Sequence, residues 1–327
     1  MGVQPRIAIR VQPAKDREHP GDALQRRART PTPIYFFHHI AKCGGISFSN
    51  DIGRAIGLRH CMIQHNVGAG WQGRLAAGVW AAKINRSTLQ PCNLLNSEEA
   101  LIASRPTLAP VMAQVRLILM LRNPLTHVRS MHAHCRRVYG LTLSLEAWLA
   151  RFSSPGSRTP PWGQRPVSQC IFHPRDMQTA FLTSRTMWDP TAKRNRDWSF
   201  EWQNDEAMRA RMHTPGAIRA ALHRVRIAAW HVGVVERYAL SLCVLQRRLT
   251  SAPHFQSMRA RSASELDFCD AGVRVTHFDH NSMARAQNMS ATALRLILEM
   301  TQADHILHGA ASERLLEDAV RFGALAV

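Results

Sequence analysis

The segment that decides the fold is Ile34-Tyr-Phe-Phe-His-His-Ile-Ala-Lys-Cys-Gly-Gly-Ile-Ser47. It begins with a short aromatic run, Ile34–Phe37, of the kind that favours a β-strand, and the run is broken by Gly44-Gly45. Ser47 is a residue type that caps helices, and the chain from there to about Ile56 fits a helix. The segment therefore predicts a strand, a tight turn and a helix in succession.

The same unit recurs later in the chain. The apolar run Val115–Leu121 indicates a buried parallel strand, and Pro124 suits the first position of the helix that follows. A third strand is predicted at 230–235, leading into a strongly periodic helix at 238–250. Strands that alternate with helices predict an α/β fold with a parallel sheet covered on both faces and with ligands at the carboxyl ends of its strands.

The remaining segments are assigned more coarsely. Short helices are predicted around 71–83 and 97–104, and further helices near 174–184, 290–302 and 304–321. Two stretches rich in Pro, Ser, Arg and Trp are interpreted as surface loops, 153–168 and 186–204. Residues 1–32 lack an apolar pattern and are predicted to be a basic disordered arm before a single domain at 33–327.

Composition narrows the class of partner and of compartment. The 42 Lys and Arg residues outnumber the 23 Asp and Glu residues, and a net charge of +19 favours anionic ligands. The seven cysteines show no C-x-x-C pair, so we expect reduced thiols. No apolar stretch is long enough for a membrane span and no signal peptide is visible, which together predict a cytoplasmic location.

The turn after the first strand has the features of an anion site. Free amides at a helix start bind phosphate, and Lys42 adds a point charge beside the glycines. In a nucleoside-triphosphatase loop the lysine follows the glycines, whereas here it precedes them. The second strand is followed by Arg122-Asn123 and not by an acidic ligand for Mg²⁺, which disfavours a kinase or an ATPase. We expect no metal.

These motifs resemble those of the carbohydrate sulfotransferases of the heparan 2-O type and their bacterial relatives. His39-Ile-Ala-Lys-Cys-Gly-Gly-Ile-Ser47 is similar to the family's H-I-P-K-T-G-G-T-S, and Leu121–Ser130 to its L-R-D-P motif. The resemblance continues through Asp176–Leu182, Val232–Tyr238 and Ala303–His308, and so covers roughly residues 33–320. It implies a P-loop-like three-layer sandwich and transfer of a sulfuryl group from 3′-phosphoadenosine 5′-phosphosulfate (PAPS).

The resemblance also implies roles for individual residues. Arg122 and Ser130 are expected to bind the 3′-phosphate, and Lys42 is expected to act in catalysis as well as in binding. The 5′-phosphosulfate is expected to lie against the loop residues Ala41, Lys42, Cys43, Gly44, Gly45, Ile46 and Ser47. For the Cys43 thiol two interpretations are open, a small buried filler, which is preferred, and an activated nucleophile.

The general base is not identified by the motifs. Relatives often carry a Gly-His pair before the second strand, and the counterpart here is Ser104-Arg105. His65 is the preferred candidate, followed by His60 and Glu98. His60, Cys61 and His65 also hint at a metal, but no fourth ligand stands at a recognisable spacing.

The acceptor is expected to be a hydroxyl of a carbohydrate or glycoconjugate, which can itself be anionic, bound by the loops 153–168 and 186–204. Two other functions stay open. The chain could be a degenerate sulfotransferase fold that binds nucleotide or glycan without catalysis. It could also be a basic nucleic-acid-binding protein, but the basic and aromatic pattern of such proteins is missing, and we expect no nucleic acid. The acceptor's identity and the oligomeric state are not predicted.

Overall fold

The first strand, β1 (Ile34–His38), is buried along its whole length. Four further strands join it: β2 (His60–Met62), β3 (Leu94–Ser97), β4 (Val115–Leu121) and β5 (His231–Val234). Among the described residues these form one sheet in the order β2-β3-β1-β4-β5, and every neighbouring pair is parallel. A strand segment buried on both faces must be apolar, which is why residues 34–37 of β1 and 117–121 of β4 are continuous apolar runs and do not alternate.

The computed structural model describes residues 33–56, 60–62, 94–97, 113–153, 172–183, 214–252, 267–269 and 289–325. All of them belong to one unit that spans 33–327. The predicted arm at 1–32, the predicted helix at 71–83 and nearly all of the two predicted surface loops lie outside the described residues.

Helices cover both faces of the sheet, so the predicted mixed α/β class is confirmed. They are α1 (Gly45–Ile56), α2 (Pro124–Tyr139), α3 (Leu145–Ala150), α4 (Met177–Thr183), α5 (Pro215–His223), α6 (Tyr238–Thr250), α7 (Ala291–Met300) and α8 (Gln302–Arg321). A π-helical turn, Arg224–Ala228, extends α5, and a 3₁₀ turn, Val235–Arg237, precedes α6.

The helices that follow β1 and β4 lie on opposite faces of the sheet. Phe48 and Ile52 of α1 pack in one apolar cluster with Tyr35 and Phe37. Val128 and other residues of α2 pack in a second cluster, which contains the β1 residues of the other face. Two neighbouring strands whose helices leave in opposite directions open a crevice at their carboxyl ends, where ligands of such sheets bind.

One predicted boundary needs correction. Helix α1 begins at Gly45 and not at Ser47, because Gly44 already accepts the first helical hydrogen bond, from Phe48 N at 3.0 Å. β2 and β3 were not predicted; β3 ends at Ser97, and the other residues of the helix predicted at 97–104 lie outside the described residues. Both strands are short, and pairing to neighbours defines them more than their own sequence does.

Two buried aspartates join the starts of α4 and α8. Asp176 precedes α4, and its Oδ1 accepts the backbone N–H of Asp304 at 3.1 Å, in the first turn of α8. In return the Asp304 carboxylate accepts the N–H groups of Gln178 at 3.1 Å and Thr179 at 2.7 Å. Each carboxylate therefore satisfies backbone donors at the N-terminus of the other helix, where the helix dipole favours negative charge.

Disulfide bonds contradict the expectation that the thiols are reduced. Cys243 of α6 is bonded to Cys269, and Cys135 of α2 is also disulfide-bonded. Among the described cysteines Cys43 is free. The Cys243–Cys269 bond was not predicted from the sequence, because the two cysteines are separated by 26 residues and no local motif marks the pair. No helix in the described part of the chain is both long and apolar enough to cross a membrane.

The aspartate pair predicts an unusual dependence of stability on pH. Burial and the negative charge of Asp176 raise the pKa of Asp304 to about 7. A raised pKa in the folded state gives stability that is fully present below the ordinary pKa of about 4 and is lost as the pH rises through about 7. We expect the free energy of unfolding to fall between about pH 4 and pH 7 by up to about 1.4 kcal/mol per pH unit from this residue.

Urea unfolding of wild type and Asp304→Asn, followed by circular dichroism at several pH values, measures this effect. The difference between the two slopes reports the titration of the aspartate pair. Asp304→Asn should lie within about 1 kcal/mol of wild type at pH 5, because the carboxyl is then mostly protonated and, like an amide, offers one carbonyl oxygen to the two N–H groups. The free energy of unfolding of Asp304→Asn should also fall less steeply with pH than that of wild type. Equal slopes would contradict the raised pKa of Asp304.

Candidate anion-binding site

The turn between β1 and α1 (residues 39–44) places its peptide groups in a fixed pattern. Lys42 and Gly44 both adopt left-handed backbone conformations, with φ of 66° and 74°. Cys43 N–H donates to the Ile40 carbonyl at 3.1 Å, which closes the turn. Since Phe48 makes the first helical hydrogen bond, the amides of residues 45–47 have no acceptor within the helix. Such a set of amides at a helix start is a favourable anion site.

The two glycines are required for different reasons. At Gly44 the positive φ excludes most side chains, and a Cβ would also lie 3.4 Å from Val235. At Gly45 a Cβ would lie 1.8 Å from Cδ2 of His39, because the imidazole of His39 lies directly against this residue. The His39 ring is in turn stacked on Phe37, with an interplanar angle of 13°. His39 and Gly45 are therefore complementary in shape.

Two side chains of the β4–α2 region hold the carbonyls of the turn. Arg122 Nη1 donates to the Lys42 carbonyl at 3.1 Å, and His127 Nε2 lies 2.9 Å from the Ala41 carbonyl. Burial lowers the pKa of His127 to about 4, and the neighbouring Arg122 and Lys42 act in the same direction. A carbonyl only accepts, so the neutral ring must carry its proton on Nε2. With these carbonyls turned into the protein, the turn presents amides to the crevice.

The backbone of Arg122 is fixed by the side chain of Gln178. Gln178 Oε1 accepts the Arg122 N–H at 2.9 Å, and its Nε2 donates to the Arg122 carbonyl at 2.8 Å. The same Oε1 lies 3.6 Å from the Cys43 thiol, which donates to it. The amide of Gln178 thus links the end of β4 to the turn.

A half-buried carboxylate, Glu236, lies on the other side of Arg122. Glu236 accepts the Asn123 N–H at 3.0 Å and the Thr126 hydroxyl at 2.7 Å, and His308 Nε2 lies 3.4 Å from it. Burial raises the pKa of Glu236, but the hydrogen bonds from these three partners outweigh it and lower the pKa overall. Glu236 is therefore ionised, and it balances the guanidinium, whose Nε donates to Thr126 at 3.1 Å.

Lys42 and Cys43 have different environments although they are adjacent. Lys42 is half-buried, and its ammonium nitrogen lies 3.2 Å from Nδ1 of His134 on α2. Cys43 is fully buried, and burial raises the pKa of its thiol well above the usual range. The thiol stays protonated, which favours the buried filler over the activated nucleophile.

The other predicted site residues are less informative. Ser47 and Ser130 are both half-buried, and Ser130 lies roughly 9 Å along α2 from its first residue. Ile46 contributes its backbone amide to the first turn of α1. His60 is the first residue of the edge strand β2, in register with Leu94, and so lies at the amino end of its strand and not near the turn. His65 and Glu98 lie outside the described residues.

Four residues of the site were not predicted, although three of them lie in segments that the motifs contain. No role was attached to His127 in Leu121–Ser130, to Gln178 in Asp176–Leu182 or to Glu236 in Val232–Tyr238. His134 lies outside the motifs, at a position on α2 that no spacing rule marks. In the described part of the chain no three His, Cys, Asp or Glu side chains are grouped to hold a metal ion.

Comparisons of the chain with protein-family models, with curated proteins and with solved structures found no match. Function is therefore inferred from the geometry of the site and from the order of its motifs.

The contact between His39 and Gly45 yields a test of the turn. Gly45→Ala should lower the free energy of unfolding by about 1–3 kcal/mol, because the new methyl group must displace a buried ring. In a His39→Ala background the same substitution should cost less than about 0.5 kcal/mol. Thermal and urea unfolding of the four proteins measure the coupling.

Gly309→Ala is the matched control, because nothing lies within 4 Å of a Cβ at this position in α8. It should stabilise the protein by up to about 1 kcal/mol through helix propensity alone. An equal cost of Gly45→Ala in both backgrounds would mean that the ring of His39 is not what requires the glycine.

Proposed function

We propose that the chain is a sulfotransferase with a P-loop-like three-layer sandwich, which transfers a sulfuryl group from PAPS to a hydroxyl of a carbohydrate or glycoconjugate. The observation that carries the proposal is the hydrogen bond of 3.1 Å between Arg122 and the Lys42 carbonyl. It joins two motifs that are 80 residues apart, at the crevice between β1 and β4. Each motif resembles one phosphate site of the carbohydrate sulfotransferases.

The charges of the site suit such a donor. PAPS carries about four negative charges, divided between its two ends, so that two separate cationic sites can fix its orientation. In the proposal the amides of residues 45–47 and Lys42 bind the 5′ end, and Arg122 with Ser130 binds the 3′-phosphate. When bound, PAPS supplies an activated sulfuryl group, whose bond to the phosphate oxygen is exchanged for a bond to the acceptor hydroxyl.

Within this proposal Lys42 neutralises the charge that grows on the departing phosphate. The hydroxyl proton passes to a base, for which His65 and Glu98 stay candidates. An ATPase fits the site less well. The acidic residue that follows β5, Glu236, already accepts hydrogen bonds from Asn123 and Thr126 on its two carboxylate oxygens.

Nucleotide affinity is the first prediction. Calorimetry with adenosine 3′,5′-bisphosphate should show binding to wild type, and Arg122→Ala should weaken it by about 2 kcal/mol or more through loss of charge-assisted contacts. Arg226→Ala is the control, since Arg226 is exposed and paired with Glu313 on the surface. Equally tight binding of ATP that requires Mg²⁺ would overturn the proposal.

Turnover is the second prediction. Lys42→Ala should lower the rate of sulfuryl transfer by roughly 10²-fold and weaken the binding of nucleotide much less. Lys42→Arg should rescue little, because a planar guanidinium does not replace a point charge beside two glycines. The assay follows transfer of labelled sulfate from PAPS to a panel of glycans.

Lys42→Gly separates charge from strain. The positive φ of Lys42 is unfavourable for any residue with a Cβ, so glycine should stabilise the fold while it removes the ammonium. Its rate should fall as far as that of Lys42→Ala. If wild type transfers sulfate and Lys42→Gly matches its rate, the assigned role of Lys42 is wrong. If wild type binds the bisphosphate but transfers to no acceptor, a non-catalytic binding protein is the better reading.

A further inference from the structure

His134 lies next to the lysine of the anion site although it is 92 residues away in sequence. Its Nδ1 is 3.2 Å from the Lys42 ammonium nitrogen, which is hydrogen-bond distance. The residue projects from α2, the helix that also supplies His127 to the same turn. Helix α2 thus contacts both the backbone of the turn and the side chain of Lys42.

Aromatic neighbours fix the orientation of the imidazole. Tyr139 meets the His134 ring edge-on, with centroids 5.8 Å apart, and Phe172 packs against it at 5.6 Å. Lysine has a flexible four-carbon stem, and holding its ammonium in one place costs rotamer entropy. The His134 ring, which packing already holds in place, can supply a fixed acceptor for the Lys42 ammonium.

The protonation state is consistent with an acceptor. Burial, and then the charges of Lys42 and Arg137, lower the pKa of His134 to about 4. The ring is therefore neutral near pH 7, and the lone pair of Nδ1 faces the ammonium while Nε2 carries the proton. This tautomer has no free basic nitrogen, so it does not suit His134 as the general base for a hydroxyl.

We propose that His134 is a positioning residue, which accepts a hydrogen bond from Lys42 and orients its ammonium beside the amides of the anion site. Its effect on turnover rests on the proposed sulfotransferase function, whereas its effect on Lys42 itself does not.

Three variants isolate the acceptor. His134→Phe keeps an aromatic ring against Tyr139 and Phe172 and removes the acceptor. His134→Asn places an amide oxygen near the position of Nδ1 and should restore the hydrogen bond. His132→Phe is the control, because His132 lies on the same helix but is hydrogen-bonded to the Leu143 carbonyl at 2.9 Å and packs against Trp148 with ring centroids 5.5 Å apart.

The first measurement does not depend on nucleotide or on activity. A small amine-acylating reagent labels the full-length chain, and mass spectrometry follows Lys42, which is easily resolved because the chain has only four lysines. Loss of the acceptor leaves the ammonium less stabilised and more mobile, so His134→Phe should raise the labelling rate of Lys42 about fivefold. His134→Asn and His132→Phe should label at the wild-type rate.

The second measurement is steady-state sulfuryl transfer. His134→Phe should lower kcat by about tenfold with a smaller change in KM for PAPS, and His134→Asn should recover most of the loss. Unchanged labelling of Lys42 in His134→Phe overturns the inference, and so does an equal loss of kcat in His134→Phe and His132→Phe. Failure of wild type to bind adenosine 3′,5′-bisphosphate would instead overturn the proposed function, and the labelling rates would still decide whether the pair exists.

Discussion

The side-chain amide of Gln178 occupies the place of a neighbouring strand at the end of β4, where it hydrogen-bonds both the N–H and the carbonyl of Arg122. Both backbone groups are buried, and without these bonds each would carry a desolvation cost of about 1–3 kcal/mol. The guanidinium of the same residue holds the Lys42 carbonyl. The conformation of the anion-binding turn therefore depends on an uncharged side chain from a different helix.

In the described part of the chain, few positively charged side chains lie close to one another at the turn. Among the described residues, Arg122 and Lys42 are the cations at the turn. The ionised Glu236 lies on the far side of Arg122, where it accepts hydrogen bonds from Asn123 and Thr126. His127 and His134 contact the same turn, but burial and neighbouring cations lower the pKa of each to about 4; the cations are Arg122 and Lys42 for His127, and Lys42 and Arg137 for His134. They supply hydrogen bonds without adding positive charge that would repel Lys42. The groups that can attract an anion are therefore those that face the crevice.

The parts of the fold that local sequence encodes were predictable. β4 and α6 have the predicted bounds, since a buried apolar run, a proline at a helix start and a strong helical period are local signals. The predicted start of α1 was two residues too late, because the left-handed turn at Lys42 and Gly44 ends before Ser47, the residue that was expected to cap the helix. Gln178 was missed because its role depends on contacts 56 and 135 residues away, which no periodicity records.

The hydrogen bonds of Asp176 and Asp304, which join α4 and α8, limit the order in which contacts can form while the chain is being synthesised. Gln178 stands in the first turn of α4, and its N–H is held by Asp304, which follows it by 126 residues. A chain still emerging from the ribosome carries the complete loop motif long before it carries the residue that secures α4. The contacts that fix the turn are therefore complete only after Asp304 has been synthesised.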